Sequence, residues 1–199
     1  MPLVNFTARE ITCKLVYYGP GRSGKTTNLQ YIHGRVPESK RGRMVSLATH
    51  GDRTLFFDFL PLDLGTISGF TTRFQLYTVP GQVYYAATRR LVLQGADGVV
   101  MVADSQARRF DENLESLRDL QDNLIDQGVD IRTFPLVFQY NKQDLPPELI
   151  LSPEALDESL NFRGVPSLPA DALRGTGVFE TLRSATALVL QRLAQRSGS

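Results

Sequence analysis

The chain has a single cysteine, Cys13, and two histidines, His33 and His50, among its 199 residues. One cysteine excludes an internal disulfide framework and any metal site built from several thiolates; a reducing compartment fits it best, and Cys13 itself reads as a small packing residue of a strand. The histidines have no partners spaced for a metal or a triad, so each reads as solvent-facing or locally bonded. Net charge is also scarce: Lys plus Arg number 22 against 21 for Asp plus Glu, leaving +1. Nucleic-acid binding by overall charge needs a basic surplus or a basic face, so no nucleic-acid partner is expected. The cluster Lys40, Arg41 and Arg43 is too small to supply one and reads as a solvated loop. No apolar run approaches the roughly 18 residues of a membrane span, and Met1-Pro2-Leu3-Val4-Asn5-Phe6 lacks the segments of a signal peptide. The expectation is a cytoplasmic protein without membrane insertion.

What is present is an alternation of strand-like and helix-like segments. A length of 199 residues suits one domain spanning residues 1–199, and no repeat or low-complexity linker divides it. Ile11–Tyr18 reads as a strand, followed by a glycine-rich turn and a helix from Lys25 to Arg35 that stops near Pro37. Leu55–Leu60 and Thr72–Thr78 read as two strands of a hairpin, joined through Pro61–Thr71 with Gly65 and Gly69 as turn residues. Gly98–Ala103 and Leu136–Tyr140 are continuous apolar runs of the kind buried on both faces of a parallel sheet. Leu114, Leu117, Leu120 and Leu124 recur at helical spacing over Phe110–Gln127, and Val178, Leu182, Ala185, Val189 and Leu193 do so near the end. The expected fold is a doubly wound α/β sheet, which binds ligands beyond the carboxyl ends of its strands.

Gly19-Pro20-Gly21-Arg22-Ser23-Gly24-Lys25-Thr26 follows the first strand and opens the first helix, matching the phosphate-loop pattern GxxxxGK[ST] in the context it requires. Glycines let the backbone curl so that the N–H groups of Gly19, Gly21, Arg22, Ser23, Gly24 and the first helical residues up to Thr27 face phosphate oxygens. Lys25 reaches the β- and γ-phosphates in such a loop, and the Thr26 hydroxyl ligates Mg²⁺. That motif does not select the base. Asn141-Lys142-Gln143-Asp144 follows another strand and resembles the NKxD guanine motif of small GTPases. The Asp144 carboxylate can accept from both guanine N1 and the exocyclic amine, a donor pair that adenine lacks; Asn141 supports the loop, and the Lys142 stem lies against the base.

Val79-Pro80-Gly81-Gln82 resembles the second switch of the same proteins, in which Gly81 meets the γ-phosphate and Gln82 orients the attacking water. Thr54, upstream, takes the place of the first-switch threonine that ligates Mg²⁺. The chain departs from most of the superfamily at Thr78, where an aspartate normally holds the Mg²⁺ hydration shell. A threonine can accept from a metal-bound water, but it brings no charge. The phosphate loop, Arg53-Thr54-Leu55-Phe56-Phe57-Asp58-Phe59-Leu60-Pro61-Leu62, Thr78-Val79-Pro80-Gly81-Gln82 and Asn141–Asp144 together resemble the MglA family of bacterial Ras-like polarity GTPases.

The resemblance implies a three-layer P-loop GTPase fold with a mostly parallel six-stranded sheet and one antiparallel edge hairpin. It implies GTP or GDP with Mg²⁺ as cofactors, Arg53 as an intrinsic arginine finger beside Gln82, and backbone contact to guanine O6 through Ala172. It further implies a Roadblock-fold, MglB-like activating partner, effectors of polarity or motility, and recruitment by partners to a pole or the inner membrane surface. A guanine-nucleotide-dependent binding module with little hydrolysis is the alternative.

Overall fold

The computed structural model describes residues 2–47, 57–67, 69–82 and 85–197. Its strands are β1 Leu3–Asn5, β2 Glu10–Tyr18, β3 Val45–Leu47, β4 Phe57–Ile67, β5 Phe70–Thr78, β6 Gly98–Asp104, β7 Leu136–Asn141 and β8 Ser167–Ala170. The α-helices are α1 Lys25–Arg35, α2 Ala86–Leu93, α3 Phe110–Asp126, α4 Pro153–Leu160 and α5 Val178–Ser197. The strands form one sheet in the order β3-β4-β5-β2-β6-β7-β8, with β1 paired to the start of β2. From β5 to β8 every pairing is parallel, whereas β1, β3 and β4 pair antiparallel with their neighbours.

Successive side chains of a strand point to opposite faces, and here each face has its own core. Leu15 and Tyr17 of β2 pack with Val100, Val137 and the α1 and α5 residues Leu29, Ile32, Val178 and Leu182. Val16 and Tyr18 pack with Val99, Met101, Phe138 and Leu117, Leu120, Leu124 and Leu156 of α3 and α4. Helices on both faces explain why β6 and β7 are buried at every residue and read as unbroken apolar runs. Among the described residues no helix is long and apolar enough to cross a membrane.

Two expectations need correction. Among the described residues the sheet has eight strands in place of six, because β1 and β3 add three residues each, too few to show an alternating pattern. The hairpin is also longer than expected, since β4 continues through Pro61 to Ile67 and β5 begins at Phe70. Pro61 is tolerated because its carbonyl faces the outer edge, where it accepts from the Gly42 N–H at 2.9 Å, and no inner ladder bond is lost. Gly65 sits within β4, at a register shift between Asp63 and Thr66, with φ +88° and its N–H donated to Asp63 Oδ1 at 2.8 Å. From the pair Asp63–Arg73 to the pair Thr66–Thr71, β4 advances one residue more than β5, so this is a bulge that sets the register of everything nearer the site.

Candidate functional site

β2 ends at Tyr18 and α1 starts at Lys25, so six residues must turn the chain and present it to the carboxyl edge of the sheet. Gly19 and Gly24 have φ +141° and +102°. A Cβ at Gly19 would run into the Val102 carbonyl, and one at Gly24 into the Asn141 side-chain amide, so both positions need glycine for space as well as conformation. Helix α1 has no side-chain N-cap and no acidic residue in its first turn, which leaves its leading N–H groups and positive end for an anion. Ser23, fully buried in the loop, has an Oγ without a protein partner.

Lys25 folds back over the loop, donating to the carbonyls of Gly19 at 2.8 Å and Pro20 at 2.6 Å. Burial, and then the like charge of Arg89, draw its ammonium down to about 7, with Asp58 pulling the other way. A polyphosphate is the kind of ligand that restores such a cation.

Beside the loop lies a cavity of about 500 Å³ whose walls include Lys25, Thr26, Asp58, Thr78 and Gly81. Asp58, 7% exposed, is the centre of its hydrogen bonding. Its Oδ2 accepts from the hydroxyls of Thr26 at 2.6 Å and Thr78 at 2.8 Å, and its Oδ1 accepts from Ser46 at 2.6 Å. The Asp58 N–H donates back to Thr78 Oγ1 at 2.8 Å. Gly81 packs so tightly on the loop that a Cβ there would overlap the backbone of Pro20 and Gly21. Gln82 is exposed, and its carbonyl accepts from Arg89 Nη1 at 2.6 Å. Arg89 is nearly buried and is held by Asp119 at 2.7 Å, so this pair anchors the segment entering α2. Arg53, Thr54, His50 and Tyr84 lie outside the described residues.

At the end of β7, the Asn141 amide ties three loops together. Its Nδ2 donates to the Ser23 carbonyl at 2.7 Å, and its Oδ1 accepts from the Ala172 N–H at 2.9 Å. The turn that follows is fixed by Lys142 at φ +73°, by Gln143 N–H to the Ala170 carbonyl at 3.0 Å, and by Lys142 Nζ to the fully buried Asp104 at 2.6 Å. Asp144 lies close by, 3.8 Å from the exposed Arg174 guanidinium. The phosphate loop, the Asn141–Asp144 turn and the segment after β8 therefore meet at one edge of the sheet.

No protein-family model matches the chain. Over 193 residues it is 54% identical to the Mutual gliding-motility protein MglA of Myxococcus xanthus (strain DK1622), covering 97% of this chain and 98% of that protein. The chain belongs to the MglA family.

Several residues of this MglA-family chain have hydrogen bonds that the sequence did not announce. The Ala172 N–H, expected to face guanine O6, is donated to Asn141, and the next two N–H groups, of Leu173 and Arg174, go to Asp171 Oδ1 at 3.0 and 3.1 Å. Asp58 carried no expectation of its own, since an acidic residue in an edge strand ordinarily reads as solvent-facing. Arg109 was equally silent: its Nη2 donates to the Gly21 carbonyl at 2.7 Å and its Nε lies 3.9 Å from Asp104, joining the phosphate loop to the Lys142 ion pair. Cys13 is fully buried, and burial pushes its thiol up to about 12, in keeping with a packing role. His33 contacts the Arg41 guanidinium, which also donates to the Val36 carbonyl at 2.8 Å.

Proposed function

We propose that this chain is a GTP-binding, GTP-hydrolysing molecular switch of a P-loop GTPase domain spanning residues 1–199, acting in gliding motility, as its relative's name suggests, or in cell polarity. The observation that carries the proposal is the Asn141 side chain, which bonds the phosphate loop and the segment after β8 at once and sets Asp144 beside them. Gly19 to Thr27 cradle the phosphates, Lys25 exchanges its loop carbonyls for β- and γ-phosphate oxygens, and Asp144 reads guanine while Lys142 supports the base.

The donors around Thr26 are hydroxyl and carboxylate oxygens, which suit Mg²⁺. Among the described residues no group of three His, Cys, Asp or Glu could form an all-protein cage, so a site shared with phosphate oxygens fits better. Thr26 and Thr54 are the residues that hold the ion, which when bound neutralises charge on the β- and γ-phosphates. Gln82 orients water and Arg53 supplies charge to the γ-phosphate. Gly81 and Thr54 order or release the two switch segments according to that phosphate, and an MglB-like Roadblock partner and motility effectors read the difference.

Binding and single-turnover assays test this reading. Asp144→Asn is expected to shift preference from guanine to xanthine nucleotides, because an amide can donate to the xanthine carbonyl where a carboxylate can only accept. Gln82→Leu is expected to slow hydrolysis at least tenfold with GTP binding retained. Unchanged GTP affinity in the first variant refutes the base site. Unchanged turnover in the second, with no acceleration by a Roadblock partner, leaves the nucleotide-dependent binding module as the correct reading.

A further inference from the structure

The described walls of the phosphate-side cavity carry two cations, Arg22 and Lys25, and one anion, Asp58. The second-switch position that most related GTPases fill with aspartate is Thr78, which is 3% exposed and uncharged. Yet a carboxylate is present at that place in space. Phe59 pairs with Tyr77 across β4 and β5, and one step further Asp58 meets Thr78, with which it exchanges two hydrogen bonds. The same Oδ2 that accepts from Thr78 also accepts from the hydroxyl of Thr26. A carboxylate that accepts the hydrogen bond of a ligating hydroxyl makes the hydroxyl oxygen a better donor to a metal and fixes its direction. Ser46 fills the other carboxylate oxygen, so the group is held on both sides.

We propose that Asp58 of β4 is the acidic residue of the Mg²⁺ site, acting on the ion through Thr26 and the ion's water shell, and that Thr78 is its positioning partner. The charge missing from the second switch is supplied from the neighbouring strand. This rests on the guanine-nucleotide reading above and adds to it a residue to which the sequence pattern gave no role. It has a mechanical corollary, since Asp58 directly follows the first-switch region. The register of β4 against β5 then governs cation affinity, because a slip of one residue would turn the carboxylate to the other face of the sheet.

The test is the Mg²⁺ dependence of fluorescent GDP release, measured with the full chain across free Mg²⁺ concentrations and in excess chelator. In Asp58→Asn the Mg²⁺ concentration that half-maximally slows release is expected to rise by about 10–100-fold, while the release rate in chelator stays within about twofold of wild type. Adding Thr78→Asp to that variant is expected to bring the half-point back toward wild type. Asp58→Ser, neutral and smaller but still able to bond the surrounding hydroxyls, gives the same reading where Asp58→Asn folds poorly. An unchanged half-point overturns the proposal. So does faster release by the same factor with and without Mg²⁺, which makes Asp58 a structural residue only. If wild-type protein itself fails to retain GDP, the guanine-nucleotide reading is what fails.

Discussion

At the scale of single residues, the site depends on groups held in states that water alone would not give them. Lys25 is the clearest case, because burial and Arg89 bring its ammonium from 10.5 to about 7. Between those values the unfolded chain holds more protons than the folded one, so the ligand-free protein gains stability from this group as pH rises from about 7 towards 10. Nucleotide binding acts in the opposite sense, since phosphate oxygens restore the charged form and the complex must take up a proton. GDP affinity is therefore expected to fall as pH rises above about 7.5, approaching tenfold per pH unit, with close to one proton taken up per GDP at about pH 8.5. Calorimetry in two buffers of different ionisation enthalpy reads that proton directly. Lys25→Arg, whose guanidinium stays charged throughout, should bind with no such uptake. A pH-independent affinity for wild-type protein would show that Lys25 is already charged before the nucleotide arrives.

At the scale of elements, what holds the phosphate loop against the base loop is a buried polar network beneath them. Gln139 of β7 bonds Asn28 of α1 twice, at 2.8 and 3.0 Å, and Thr181 of α5 at 3.0 Å. Asn28 also donates to the Gly24 carbonyl at 3.0 Å, and Thr181 to the Gly177 carbonyl at 2.6 Å. All three side chains are fully buried, so Gln139→Met is expected to cost about 2–4 kcal/mol by leaving Asn28 Oδ1 without its donor and one Asn28 Nδ2 hydrogen without its acceptor. The double variant Asn28→Leu/Gln139→Met should cost less than the sum of the two single changes, as urea denaturation would show. Equal, additive costs would mean that the network is not a unit. This network was not legible in the sequence, although β6 and β7 were, because burial on both faces writes itself as an apolar run while a single Gln within such a run gives no sign of its partners. Helix α4 did carry a signal that went unread: Ser152 caps it, accepting from the Ala155 N–H at 3.2 Å, with Pro153 at its first position. Asp58 was hidden for a different reason. Its meaning depends on the bulge at Leu64 and Gly65 that sets the hairpin register, and turn geometry of that kind follows from backbone pairing more than from residue type.

At the scale of the whole molecule, the residues around the candidate site come from nearly every part of the chain: the β2–α1 loop, β4, the end of β5, the turn after β7 and the segment after β8. Both cores reach this edge, since Leu29 of α1 and Val178 of α5 belong to one and Tyr18 and Tyr140 to the other. A ligand bridging these loops cannot remain bound once either core opens, so its binding energy adds to global stability and is not confined to a local loop. At GDP about 1,000 times its dissociation constant with Mg²⁺ present, the linkage is worth about 4 kcal/mol. For a domain of this size that amounts to a rise of about 10 °C in the unfolding midpoint, increasing linearly with the logarithm of GDP concentration. Adenine nucleotides at the same concentration should leave the midpoint within about 1 °C, since adenine presents no donor pair from which Asp144 could accept. Thermal scans with GDP, GTP and ATP, with and without a chelator, measure all of this in one experiment. A guanine nucleotide that binds but protects only the loops from proteolysis, leaving the midpoint where it was, would show that the site is not built from the whole fold.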